Sequence, residues 1–164
     1  MIATLLIKEL EQEMEVSYKM LDLVPADKLE WQPHQKSMTL GKLTSHITEI
    51  YSWVEFCIDR TEIDFEIEKW ESPKADDGLG FVTIAKNLGF ESVEALKQTT
   101  DDILSNQRWA MKYHGQIIMD FTKYEAIRHC ISQMIHHRAQ LGVFLRLLDI
   151  PIPGTYGPSA DSMG

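Results

Sequence analysis

The sequence predicts an all-α fold, a four-helix bundle with a long connection between its second and third helices. Apolar residues recur at helical spacing in separate segments, capping residues open two of those segments, and Pro and Gly punctuate the stretches between them. The 164 residues are expected to form a single domain over 1–164, long enough to bury a real core.

Leu5, Leu6, Leu10, Met14, Tyr18 and Leu21 define a first helix over about 2–23, which ends before Pro25. The connector through Trp31-Gln32-Pro33 cannot continue it, because Pro33 lacks a backbone donor and disfavours helical geometry at Gln32. A second helix over about 39–60 carries Leu40, Leu43, Ile47, Ile50 and Val54 on its apolar face. Residues 61–90 hold acidic and aromatic side chains, Pro73 and the Asp76-Asp77-Gly78-Leu79-Gly80 punctuation, which predict a partly ordered insertion with a short helical piece at 81–88. Ser92 is the predicted cap of a third helix running through Val93, Leu96, Ile103 and Leu104 to about Met111, before a looser stretch around Gly115. Thr122-Lys-Tyr-Glu125 is a capping box, in which hydroxyl and carboxylate satisfy the first backbone donors of a fourth helix. Ile127, Ile131, Met134, Ile135, Leu141, Leu145 and Leu148 form its stripe, and Pro151 and Gly154 close it.

The chemistry-bearing residues cluster on the second and fourth helices. At about 100° per residue, Gln133 and His137 lie about 40° apart on the flank of the fourth helix's stripe, while His136 points away. His46 borders the apolar face of the second helix. Two imidazoles and a carboxamide from two helices are able to hold a divalent ion with positions left for water or substrate. The competing reading makes these hydrogen-bonded structural histidines, and a neutral Gln oxygen is a weak ligand. His129 reads as a surface histidine, and Trp53 as core packing with the wall of a metal cavity as the alternative. Glu49 reads as a solvated carboxylate; the alternatives are an acceptor behind His46 or a base. Arg138 falls near the apolar centre of the fourth helix and needs a carboxylate, carbonyls or a subunit boundary as partner. His136 and Gln140 face the polar side, at a dimer seam or under the tail.

The stretch Trp31-Gln-Pro33-His34-Gln-Lys36-Ser37-Met38-Thr39-Leu40-Gly41-Lys-Leu43-Thr-Ser-His46 precedes, in order, His136-His137-Arg138-Ala-Gln140-Leu and the tail Pro151-Ile-Pro153-Gly-Thr-Tyr156-Gly157-Pro158. Together they resemble the DinB (damage-inducible) family, of DinB/YfiT type. The resemblance implies a four-helix bundle, usually a homodimer, with a divalent metal held by three histidines, one from the second helix and two from the fourth at i,i+4 spacing. Carried over by position, the metal ligands become His46, Gln133 and His137; the middle one departs from the family's pattern. The tail's likeness implies that it is ordered.

Bulk properties narrow the partners. A net charge of −9 from 16 basic and 25 acidic residues, with no basic stripe, argues against nucleic acid. The opening Met-Ile-Ala-Thr-Leu-Leu-Ile lacks a basic leader and is too short for a signal core or a membrane span, so no membrane association and a cytoplasmic location are expected. Cys57 and Cys130 form neither a CxxC pair nor a disulfide framework and read as core packing in a reducing compartment. Two functional classes follow. One, which the family resemblance implies, is a metal-dependent transferase or hydrolase of a small molecule, with zinc, nickel or manganese at His46, Gln133 and His137, a low-molecular-weight thiol as cofactor and Glu49 as candidate base. The other is a non-catalytic stress-response or small-molecule-binding module whose metal site, weakened by Gln133, is vacant.

Overall fold

Helical periodicity builds most of the chain, as α1 (Ile2–Leu21), α2 (Leu40–Asp59), α3 (Gly78–Gln98), α4 (Asp101–Asn106) and α5 (Lys123–Leu147). The computed structural model describes residues 1–68 and 70–162. Residue 69 of the expected insertion and the last two residues of the expected 1–164 domain lie outside the described residues. α2 packs against α3 and α5, and α1 packs against the same two helices. The shared core is filled by Leu10, Leu21, Ile47, Ile50, Ile131, Met134 and Leu141, all fully buried. Among the described residues, no helix is long and apolar enough to cross a membrane.

Helix starts follow the local chemistry. Thr39 caps α2 through Lys42 N, and Thr122 and Glu125 complete the expected capping box on α5. α1 has no cap of its own; the Asp101 carboxylate, at the start of α4, accepts from Ile2 N at 2.8 Å and from the Met1 ammonium at 2.6 Å.

The all-α expectation is corrected by a three-stranded sheet, β1 (Glu62–Asp64), β2 (Arg108–Tyr113) and β3 (Gln116–Thr122), in the order β1-β2-β3. β2 and β3 form an antiparallel hairpin, and β1 pairs in parallel with β2 through Glu62 and Ala110 to Asp64 and Lys112. The turn at His114 and Gly115, with φ of 49° and 75°, has the left-handed backbone that a two-residue hairpin requires. Periodicity over 103–111 therefore belongs to two elements, the short α4 and then β2. The third long helix also begins earlier than predicted. Asp77 caps it by accepting from Gly80 N at 2.8 Å, so residues 81–88 are its first turns and Ser92 is a buried mid-helix residue. Gly78 permits this start: its N–H reaches Val24 O at 3.0 Å, and a Cβ there would stand 2.3 Å from Leu21 O.

Arg138 is 2% exposed, and both terminal nitrogens of its guanidinium have partners. Its guanidinium meets the Glu13 carboxylate at 2.7 Å, Glu13 O at 3.0 Å, Ser17 Oγ at 3.2 Å and Tyr156 Oη at 2.7 Å, and Tyr156 Oη donates to Glu13 Oε2 at 2.7 Å. This ties α1, α5 and the tail together, and Asp161 holds the tail again by accepting from Arg146 at 2.6 Å and from Ile152 N at 3.1 Å. Glu13→Ala strands a buried guanidinium and is expected to cost about 3–5 kcal/mol in urea unfolding. A cost within about 0.5 kcal/mol, the range of ordinary surface changes, would show that the pair does not anchor the helices.

Candidate functional site

The apolar stripes of α2 and α5 face each other, so residues at their edges meet along the same seam. His46 from α2 and His137 from α5 bring their Nε2 atoms to 3.2 Å, and Gln133 Oε1, one turn before His137, lies 3.1 Å from His137 Nε2. All three residues singled out by position are thus brought together. His136 is exposed, with its ring centroid 4.9 Å from that of His137 and outside the contact with His46 and Gln133.

The far nitrogen of each ring is also held. His46 Nδ1 lies 2.5 Å from Glu49 Oε1, and an ionised carboxylate only accepts, so the hydrogen sits on Nδ1 and the Nε2 lone pair is left free. His137 Nδ1 faces Gln140 Oε1 at 2.8 Å, and with the amide in that orientation its hydrogen also sits on Nδ1. With those tautomers, His137 Nε2 is an acceptor with two further acceptors beside it, His46 Nε2 at 3.2 Å and Gln133 Oε1 at 3.1 Å, and no donor between them. Such a cluster calls for a proton or a cation.

Glu49 is 5% exposed, which corrects its reading as a solvated carboxylate. Its second oxygen, Oε2, accepts from Trp70 Nε1 at 3.1 Å, so both oxygens are engaged. Trp53 sets its ring edge against His46, with centroids 5.5 Å apart, and so walls the site as well as touching the core. His129 is half-buried over Phe121 rather than a surface residue. The site opens into a cleft of about 910 Å³, lined by Met38, Lys42, Ser45, His46, Glu49 and Trp70 among others. Ser45 donates to Pro73 O and pins the 60–77 connection over this cleft.

Three features escaped the sequence reading. Gln140 holds His137 rather than only facing the polar side, and its i+3 spacing was the available signal. Trp70 reaches Glu49 from the connection, for which no local pattern exists. Cys57 and Cys130, 73 positions apart, meet at 3.9 Å. Among the described residues, no three His, Cys, Asp or Glu side chains form a metal-binding group, since the third donor here is an amide.

The model of the DinB family matches residues 1–163 of this chain. The uncharacterized protein YrdA of Bacillus subtilis (strain 168) is 22% identical over 156 residues, covering 94% of this chain and 88% of the relative. The crystal structure of a DinB-like protein from Bacillus subtilis, YjoA, superposes with a TM-score of 0.72 at 18% identity, covering 92% of this chain and 96% of that one. A DinB-like protein from Bacillus cereus ATCC 10987 gives 0.71 at 22% identity, covering 92% and 95%.

Burial pushes the His137 pKa below 6.5, opposed by the hydrogen bond to Gln140 and aided, more weakly, by the neighbouring His46 and His136 charges. The folded state therefore resists a proton that the unfolded chain accepts, and stability falls as pH drops below the unfolded value of about 6.5. His129, lowered by burial, contributes in the same direction. Urea midpoints at pH 7.5 and 5.5 are expected to differ less in His137→Gln than in the unaltered protein; an identical acid loss would remove His137 from this account.

Proposed function

This chain belongs to the DinB family, and on that premise we propose that His46, Gln133 and His137 form a divalent-metal seat in a metal-dependent transferase or hydrolase of small molecules. The convergence of three acceptor atoms without a donor carries the reading. Ligands about 2.0–2.2 Å from one ion stand about 2.8–3.6 Å apart, from right-angle to tetrahedral positions. The spacings of 3.2 Å and 3.1 Å fall in that range. The donor set therefore fits zinc, nickel or manganese, with affinity below that of a three-imidazole site because Gln133 offers only a neutral oxygen.

When bound, such an ion supplies Lewis acidity and lowers the pKa of a water or low-molecular-weight thiol at an open position. The chain's own residues prepare that position. Glu49 and Gln140 fix the ring orientations through the two Nδ1 hydrogens, which keeps both Nε2 lone pairs available. Trp53 packs on His46, and Trp70 closes the Glu49 side, which limits water at the seat. Glu49 acts here as a positioning residue; service as a base requires Trp70 to release Oε2 first. The cleft beside His46 has room for a small-molecule substrate and a thiol together. The four long helices serve as the family's bundle, one domain over 1–164 and a cytoplasmic homodimer.

A second reading has its own support. With the opposite amide and ring tautomers, His137 Nε2 donates to Gln133 Oε1 at 3.1 Å and the cluster is satisfied without an ion. The protein is then a non-catalytic stress-response or small-molecule-binding module.

The metal content of untagged protein, incubated with zinc, nickel and manganese in turn, separates the two. The metal reading predicts near one ion per chain, its loss in His46→Ala, and tightening of about ten-fold or more in Gln133→His. No bound ion in a stably folded protein supports the module instead, and unchanged affinity in Gln133→His would show that residue 133 does not face the ion.

A further inference from the structure

The seam between α2 and α5 holds a second donor pair, away from the imidazoles. Cys57 on α2 is 1% exposed and Cys130 on α5 is 3% exposed, with their Sγ atoms 3.9 Å apart. Both border an apolar cavity of about 20 Å³, walled also by Trp53, Trp109 and His129, which is room for one small atom or water. Trp109 carries a buried Nε1–H with no partner among the described residues. Near Cys57 lies Lys123, 3% exposed, whose ammonium donates to Ile58 O and Arg60 O and makes no carboxylate ion pair among the described residues. Burial lowers the pKa of this lysine, opposed by the Cys57 and Asp59 fields.

We propose that Cys57 and Cys130 form a binding site for a soft monovalent cation of the copper(I) class. Thiolate sulfur is the ligand such ions select. With metal–sulfur bonds of about 2.25 Å, a linear two-sulfur complex spaces its sulfurs about 4.5 Å apart, so the pair at 3.9 Å takes the ion by opening about 0.6 Å. A disulfide requires the sulfurs to close to about 2.05 Å. Zinc is disfavoured because structural zinc takes four ligands and, among the described residues, no third Cys, His, Asp or Glu completes the pair.

Charge supports the assignment. Two thiols release two protons to solvent as one monovalent ion binds, which leaves a bis-thiolate complex of charge −1. Lys123 supplies the compensating positive charge, and the Trp109 N–H offers a donor to anionic sulfur. The hydrogen bond to Cys57, and then burial, push the Cys130 thiol well up, so its proton is displaced by a cation rather than lost spontaneously.

The site is independent of the imidazole seat, and the test keeps the two apart. Reduced protein is titrated without oxygen against copper(I) held by bicinchoninate. One copper per chain, two protons released and protection of both thiols from alkylation are expected. Cys57→Ser and Cys130→Ser should each weaken binding by about 100-fold or more, while His46→Ala binds as the unaltered protein does. X-ray absorption of the copper-loaded unaltered protein should show sulfur ligands, a measurement that stands even if a serine variant fails to fold. Absence of copper binding, unaltered affinity in Cys57→Ser, or a ligand shell of nitrogen and oxygen alone would each overturn the proposal.

Discussion

A buried guanidinium cannot be left without partners, and Arg138 is the residue on which the arrangement of α5 turns. Breaking such a pair costs far more than a surface contact, because the remaining charge stays in the interior. Arg138 finds its carboxylate on Glu13 of α1, together with Glu13 O, Ser17 Oγ and Tyr156 Oη. This fixes the rotation of α5 about its own axis. With α1 claiming Arg138, the residue about 100° away, His137, is turned to α2, and Gln133 follows one turn earlier on nearly the same line. The tail adds to the constraint, since the Tyr156 hydroxyl bridges both members of the ion pair.

The imidazole site is a consequence of that phase together with the apolar seam. Ile47, Ile50, Ile131 and Met134 close the interior between α2 and α5, and His46 and His137 stand at its edge, partly desolvated but next to a cleft. Desolvation favours neutral His137, and neutral imidazole is the form that offers a lone pair. Glu49 and Gln140 then decide which nitrogen carries the hydrogen. The same seam brings two sulfurs together toward the C-terminal end of α2 and the N-terminal end of α5, so one helix pair presents borderline donors at the cleft and soft donors in the interior.

What could be read from the sequence was whatever depends on spacing within one element. The phases of His46, Gln133 and His137 followed from helical periodicity, the Thr122 box marked the start of α5, and the need of Arg138 for a partner followed from its place in an apolar stripe. The β2–β3 hairpin was missed because Arg108–Tyr113 is short and adjoins the helical pattern of α4, and because its parallel partner β1 lies far back in the chain. The α3 start was misplaced because Ser92 and Asp77 are both good capping residues, and the close approach of Gly78 to Leu21 and Val24 that decides between them is tertiary. Glu49 looked solvated because Trp70, which covers it, sits on the connection at no helical spacing from it.

The central claim is that the rotation of α5 aims three acceptors at one point that suits a cation. Anomalous diffraction at the zinc edge, from crystals grown with zinc, tests it most directly. The account predicts a peak about 2.0–2.1 Å from Nε2 of both His46 and His137, with the Gln133 oxygen on the same ion. Zinc bound elsewhere, with the two rings still in direct contact and Gln133 hydrogen-bonded to His137, would contradict it.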